Sequence, residues 1–492
     1  MTWPTWRPSA LTMTSPRSSS ADGPLSRLPP VQWTGRQTAV GVRARWKADG
    51  GVPAPRAIWT GASPYGRPRV SSARRAGSIR LMSRCVPLSL ADEFVARHTC
   101  GPLIWCVVFL LRGRPPGAEE LRRRVAARWA HLPRMRWVLM PSPGAPAAGR
   151  RRWTERSAFV AEHHVLRDPT GRTLEAWASG ALTHPLPPDR PLWQLRLMPC
   201  PTEGGYGLLL RMHHALADGQ SAITLMRLLL DGPGDARPAP ARRPERSDPR
   251  RVAESYLRAG LAVPLPPGRG VEPALAWSPV DADMFRAARR ALPDGTATTT
   301  ETLMAAAAGA LRGCFGDPAG WPGRGRVFTW VPVSLRTAEN ADELGNMASA
   351  LRLPLPVDGD TPVARLSACR GLVDAFGRRA LDLPWRLARL VRLMGPRAMD
   401  AVLARAMRPS HAAVSCTSLP WGRTPWALDG DPVARVVASS VVPPVGCCHF
   451  VLSNYADTPV VAVTTHRLPG DARRLAAAFA REVARLAECG AA

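Results

Sequence analysis

His213-His214-Ala215-Leu216-Ala217-Asp218-Gly219 is the stretch on which the reading of this chain turns. Two adjacent histidines stand four and five residues ahead of a carboxylate, and a glycine follows at once. An apolar run, residues 206–212, leads into the string. After it, Ser221-Ala222-Ile223-Thr224-Leu225-Met226 reads as the start of an amphipathic helix. The string therefore occupies a strand–loop–helix junction, where a rigid scaffold can hold a reactive group.

A neutral imidazole with its ordinary pKa of about 6.5 can take a proton from a hydroxyl or amine and return it to a leaving group. A nearby aspartate can orient the ring or hold the loop through a salt bridge. Glycine after it permits a sharp turn and close approach of a ligand. The same letters admit a plainer reading, in which one histidine is a satisfied core residue and Asp218 is a helix N-cap. A second string, His163-His164, has Asp168 at the same offset but Pro169 in place of the glycine. Its surroundings are polar and no apolar helix follows, so it reads as a decoy.

The string resembles the HHxxxDG signature of acyltransferases built on the chloramphenicol acetyltransferase-like fold, a superfamily that includes nonribosomal peptide condensation domains. Further segments narrow the resemblance. Pro191-Leu192-Trp193-Gln194-Leu195 resembles the PLW element of the bacterial wax ester synthase/diacylglycerol acyltransferase family, and Pro332-Val333-Ser334-Leu335-Arg336 its PVSxR element. Leu344-Gly345-Asn346 followed by Leu353-Pro354-Leu355-Pro356 is similar to its GN segment and the strand after it. Pro87-Leu88-Ser89-Leu90-Ala91-Asp92 resembles the family's opening, and residues 305–312 its alanine-rich helix. The order is that of the family from about Met82 onward. Three segments depart from it: Thr300-Glu301 replaces an Asn-Asp pair, Ser418-Leu419-Pro420-Trp421-Gly422 replaces Asn-Val-Pro-Gly-Pro, and Asn454-Tyr455 replaces Ser-Tyr. The DFGWG motif of plant-type acyltransferases is absent.

The resemblance implies an α/β fold of mixed sheets: two chloramphenicol acetyltransferase-like half-domains with a central tunnel. It implies transfer of a fatty acyl group from acyl-coenzyme A to a diacylglycerol or long-chain alcohol hydroxyl. His214 is then the general base. His213 supports the loop from beneath, and Asp218 holds it through a salt bridge to an arginine that the sequence does not identify. Gly219 keeps the channel open, and Trp193 belongs to the core. No covalent enzyme intermediate, metal or cofactor is needed, because a thioester is already activated and positioning plus one base supplies the rest. Substrate choice rests on the divergent second half. A carrier-protein thioester or a natural-product acceptor fits the same signature, and a catalytically silent lipid-binding protein is the reading from another class.

Composition bounds these readings. The chain has 492 residues, is 45% hydrophobic and carries a formal charge of +28. Its longest apolar run, residues 102–111, is about half of what a membrane helix needs and is closed by Arg112. With no leader pattern at the start, a cytoplasmic protein is expected, in peripheral contact with an anionic membrane or lipid droplet. Lys47 is the only lysine. Arginine supplies the rest of the charge, a bias that reads as the codon usage of a GC-rich genome. The charge favours anionic headgroups and the phosphates of coenzyme A. Nucleic acid is not expected, for want of aromatic–basic clustering or a known module; a basic nucleic-acid or membrane-surface protein is a reading on charge alone. The ten cysteines are scattered without any C-x-x-C pair, as free thiols in a reducing compartment.

Four segments follow. Residues 1–81 form a disordered basic extension or upstream sequence translated in error; the first eighty hold 13 Arg plus Lys against 2 Asp. Residues 82–230 form the first half-domain, with a buried strand at 104–111, a helix at 118–131, and strands at 193–198 and 206–212. Residues 231–275 are a Pro- and Arg-rich linker or crossover. Residues 276–492 form the second half-domain. Its expected helices cover 301–311, 363–379, 385–394, 399–407 and 469–486, and its strands 326–333, 349–355, 433–442 and 450–463. The cationic helices at 385–394 and 399–407 could lie against a membrane, but their apolar faces are expected to be buried.

Overall fold

The computed structural model describes residues 84–97, 103–142, 151–169, 171–200, 204–232, 247–264, 273–376, 378–466 and 471–490. The expectations for 1–81 and for 233–246 and 265–272 of the linker lie outside the described residues.

Ile104–Arg112 is an unbroken apolar strand, buried at every residue but the last. Such a run suits only a strand covered on both faces. It lies inside a six-stranded sheet ordered Ala427–Leu428, Asp431–Ser439, Ile104–Arg112, Gly205–His213, Trp193–Cys200, Val165–Arg167. The helix Ala118–Trp129 packs on this half through Leu121, Val125 and Trp129. Ile104 pairs with His213 and Trp193 with Met212, so the apolar run before the motif ends where its two neighbouring strands begin and delivers the two histidines to that end of the sheet.

A larger sheet runs Ala348–Leu355, Arg326–Ser334, Val414–Gly422, Cys448–Tyr455, Thr458–His466, Pro273–Pro279, and the short strand Gly260–Leu261 also pairs with Arg326–Ser334. The alanine-rich helix Thr299–Phe315 starts with a reciprocal capping box between Thr298 and Glu301, so the Thr300-Glu301 departure has a local structural use. Its small buried face, Ala305 to Ala308, lets it pack beside the final helix Asp471–Cys489 over this sheet. A three-stranded sheet, Cys85–Pro87, Arg151–Glu155 and Trp137–Pro141, completes the described strands.

Dividing the chain at 231–275 does not follow the sheets. The strand Asp431–Ser439, from the expected second half-domain, pairs with Ile104–Arg112 of the first, with Val436 opposite Phe109 and Ser439 opposite Cys106. Its Ala438 amide also donates to Ser453 Oγ at 3.0 Å, in the larger sheet. Helix 363–379 is likewise not continuous. Pro362–Cys369 ends at an extended Arg370 and a left-handed Gly371 (φ 65°), and a separate helix, Arg378–Leu393, follows. The apolar spacing of 363–379 misses this break because Leu372 and Phe376, buried in the intervening turns, keep a helix-like spacing. The helix Arg378–Leu393 and its neighbour Pro396–Ala406 also correct the burial expected for 385–407: Leu387, Leu390, Leu393, Met394 and Val402 stand exposed.

Candidate active site

Backbone pairing fixes where the motif begins. The His213 amide donates to Leu192 O at 3.0 Å, and the His214 amide donates to Leu103 O at 2.7 Å. The Pro191-Leu192-Trp193 segment thus sets the loop's entry. Trp193 itself is fully buried, donates from Nε1 to Met135 O at 3.0 Å, and has the His164 ring stacked on it at 4.2 Å. His213 Nδ1 accepts from the Ala215 amide at 3.1 Å, which folds its ring back onto the loop. Trp105 Nε1 holds Ala217 O at 2.8 Å and Arg134 Nε holds Leu216 O at 2.5 Å. The loop between the histidines and the aspartate is therefore pinned from two sides.

Asp218 caps the helix Gly219–Leu229 and is also half of a buried ion pair. Its Oδ1 accepts from the Ser221 amide and hydroxyl, each at 2.9 Å, and its Oδ2 from the Met347 amide at 3.0 Å. Arg336 binds it with both terminal nitrogens, Nη1 to Oδ2 at 2.7 Å and Nη2 to Oδ1 at 3.0 Å. Burial pushes this carboxyl up, but the Arg336 hydrogen bonds and charge, with the Met347 and Ser221 amides, outweigh it and hold the pKa below the ordinary carboxylate value. The unnamed arginine is thus the last residue of Pro332-Val333-Ser334-Leu335-Arg336. Both structural readings of Asp218, cap and ion pair, apply at once.

Gly345 and Asn346 clamp the loop from the opposite side. Gly345 has a φ of 146°, and an added Cβ would stand 3.1 Å from the Arg134 guanidinium carbon. Its carbonyl accepts from the Asp218 amide, Ser221 Oγ and Arg336 Nη2. The Asn346 amide group is oriented by its neighbours. Its Nδ2 lies 2.9 Å from Asp92 Oδ1, 2.7 Å from His214 O and 3.1 Å from Ala215 O, all acceptors. That leaves Oδ1 facing His214 Nδ1 at 3.1 Å. An amide oxygen can only accept, so Nδ1 carries the hydrogen and Nε2 keeps its lone pair.

Asp92 anchors this chain of bonds. It is 1% exposed and sits in the helix Leu90–Ala96, where Ser89 Oγ accepts its amide. Its Oδ2 accepts from Arg134 Nη2 at 2.7 Å and Trp153 Nε1 at 3.2 Å. Arg134 in turn lies over the Trp137 and Trp153 rings. Sequence reasoning meets Asp92 only within the segment that resembles the family's opening and assigns Asn346 and Arg134 no role. A carboxylate inside an apolar helix turn and a Gly-Asn pair between apolar strands were the available signals.

Gly219 has a packing reason. Its missing Cβ would fall 2.7 Å from Leu419 Cδ2, so the side chain of strand Val414–Gly422 fills the space that the sequence reading leaves to a channel. Leu419 belongs to one of the departing segments, and Trp421 of the same segment packs edge-on against Phe109. His163-His164 behaves as a decoy. His164 is buried, with its pKa driven down to about 4 by burial, against the bond to Trp193 O that raises it. Asp168 pairs with Arg196 and accepts from Trp177 Nε1 at 2.6 Å. A third histidine, His449, is also neutral at ordinary pH. Burial lowers its pKa to about 4, the Val441 carbonyl opposes this, and electrostatic coupling to nearby His214 adds to it.

His214 is partly exposed. Two surface concavities, one lined by Trp321, Arg326 and Val357 and the other by Cys85, Glu93 and Arg392, do not include its loop. Among the described residues no three His, Cys, Asp or Glu side chains cluster as metal ligands would.

Known proteins match this arrangement. Residues 106–314 match the wax ester synthase/diacylglycerol acyltransferase catalytic domain, and residues 344–487 the C-terminal domain of the same family. A probable diacylglycerol O-acyltransferase, tgs2, of Mycobacterium tuberculosis is 25% identical over 315 residues, covering 55% of this chain and 67% of the relative. A putative diacylglycerol O-acyltransferase of the same species is 26% identical over 388 residues, covering 73% and 80%. Among solved structures, a wax ester synthase/diacylglycerol acyltransferase from Marinobacter aquaeolei superposes with a TM-score of 0.56 at 18% identity, over 83% of this chain and all of that one. The first condensation domain of the CDA synthetase does so with a TM-score of 0.57 at 18% identity, over 83% and 98%. The mixed-sheet architecture is thus that of the chloramphenicol acetyltransferase-like proteins. With both family domains matched in order along more than two thirds of its length, the chain belongs to the wax ester synthase/diacylglycerol acyltransferase family and is an acyltransferase.

Proposed function

We propose that the protein moves a fatty acyl group from acyl-coenzyme A to the hydroxyl of a diacylglycerol or long-chain alcohol, with His214 Nε2 as general base. The observation that carries this reading is the Asn346 Oδ1 contact at 3.1 Å from His214 Nδ1, because it leaves the other ring nitrogen able to accept a proton. The acceptor oxygen attacks the thioester carbonyl as Nε2 takes its proton. The C–S bond then breaks, and the proton passes to the departing thiolate. No covalent enzyme intermediate, cofactor or metal enters this scheme; positioning and one base suffice for an activated thioester. His213 and Asp218 hold the loop, and the substrates reach His214 through a channel between the two large sheets. A lipid acceptor is met at a membrane or droplet surface, and the reading keeps the protein in peripheral contact with such a surface from the cytoplasm. No helix among the described residues is long and apolar enough to cross a membrane.

The test is product identification. Purified protein is offered palmitoyl-coenzyme A with hexadecanol or dioleoylglycerol, and ester is sought by mass spectrometry. Wax ester or triacylglycerol is expected. Ester from carrier-protein-bound acyl groups alone would move the donor assignment, and lipid binding without any turnover would refute the reading.

A further inference from the structure

Eight large apolar side chains stand exposed among the described residues, and five of them lie between Leu387 and Val402. Leu387, Leu390 and Met394 follow an i, i+3, i+7 spacing and share one side of the helix Arg378–Leu393 and its end, at 48%, 58% and 71% exposure. Leu393, at 85%, stands beside them, and Val402 continues the exposed apolar side chains onto the helix Pro396–Ala406. Arg386, Arg389, Arg397 and Arg405 are exposed on the same two helices. Arg386 and Arg389 make no ion pair among the described residues. Of the acids there, Asp400 is bound by Arg97 at 3.0 Å, and Asp382 is exposed near the start of the first helix.

We infer that these two helices form a docking face for an anionic phospholipid surface. An apolar stripe flanked by arginines is the pattern of a helix that lies in the headgroup layer without crossing it. Each arginine close to an anionic leaflet adds to the attraction. A second copy of the chain fits less well, since a two-fold contact would set one arginine-flanked stripe against another. The face is tied to the catalytic elements. Arg392 forms an ion pair with Glu93 at 3.0 Å, and Arg97 one with Asp400, both onto or at the end of the helix that carries Asp92. A face docked on lipid would hold the site next to the reservoir of its acceptor. That purpose rests on the proposed lipid acceptor; the docking itself does not.

The experiment uses the full chain and sedimentation with vesicles of phosphatidylcholine alone or of phosphatidylcholine and phosphatidylglycerol in equal parts. One variant replaces Leu387, Leu390, Leu393 and Met394 by serine, which leaves the net charge unchanged. A control replaces Met284 and Val445, exposed elsewhere, by serine. The wild type and the control should bind the anionic vesicles, and the four-serine variant about tenfold or more weakly. Its melting curve and its ester synthesis with a short, water-soluble alcohol should be retained. Equal binding by the four-serine variant would assign the attraction to the bulk charge of the chain and overturn the face. A wild-type dimer that the same variant dissolves would show that a second copy covers it, and would overturn the lipid assignment. If the wild type makes no ester, the acyl-transfer reading fails while the vesicle result stands by itself.

Discussion

Replacing Arg336 by methionine should destabilise the protein by about 3–5 kcal/mol at neutral pH, the usual cost of removing one partner from a buried ion pair. The two side chains are 6% and 8% exposed, so water cannot take over the lost contacts. Asp218 would keep only the Ser221 amide, the Ser221 hydroxyl and the Met347 amide. The guanidinium also serves Ser221 Oγ, Glu343 O and Gly345 O at 3.1–3.2 Å, so the Gly345-Asn346 clamp would loosen with it. The pH dependence has a definite sign. In the wild type the folded Asp218 pKa is depressed, so its contribution is present above the ordinary carboxylate value of about 3.9 and is lost as pH falls through the folded value. In Arg336→Met burial acts with its main opponent gone, so the folded pKa rises above the unfolded one. The variant then gains stability relative to the wild type as pH falls from 7 toward about 4. Urea unfolding followed by tryptophan fluorescence at pH 7 and pH 5 measures both effects without adding ionic strength. The double variant Asp218→Asn/Arg336→Met removes both charges and should be less damaged than the sum of the single changes. A single variant as stable as wild type at pH 7, or strictly additive losses in the double variant, would refute the reasoning.

Asn346→Ala should free the His214 ring to take the other tautomer, lowering kcat about 10–100-fold with a smaller effect on KM and a displaced pH–rate profile; an unchanged kcat and profile would remove Asn346 from this role. Gly219→Val should cost about 1–3 kcal/mol through the clash with Leu419, with partial rescue by Leu419→Ala; a stable Gly219→Val would deny the packing account. Burial pushes the Cys106 thiol up to about 11 and those of Cys416 and Cys447 up to about 12. A thiol reagent at pH 8 should therefore label exposed Cys85 and Cys489 first, as peptide mass mapping would show; early labelling of the buried three would contradict their burial.

Local patterns carried much of the fold. The run at 104–111 and the run at 206–212 are strands because both faces are covered and, apart from the buried Arg211, no charged residue interrupts them. The capping signals at Ser89 and Thr298 lie in the letters because a cap is a contact between near neighbours. The site was legible only where it is local. Asp218 as N-cap needs Ser221, three residues away, but its ion pair needs Arg336, which arrives two residues beyond the strand Arg326–Ser334 of the other large sheet. Asn346 reaches His214, and Asp92 reaches Asn346, only after three distant segments converge, and the local sequence does not encode that meeting. The strand Asp431–Ser439 is legible as a strand, but its partner is not, since register across sheets depends on the assembled core. The exposed stripe at 387–394 has the same helical period as a buried one, and periodicity alone does not say which side meets protein.

The central claim is that one imidazole nitrogen takes the acceptor's proton. The most direct measurement is the rate of ester formation by purified His214→Ala with palmitoyl-coenzyme A and a long-chain alcohol, beside its thermal unfolding curve. The account predicts a kcat lower by about 10²–10⁴ with an unchanged unfolding curve, since the ring is partly exposed and its loop is pinned by its neighbours' backbone. Wild-type turnover by His214→Ala would contradict it.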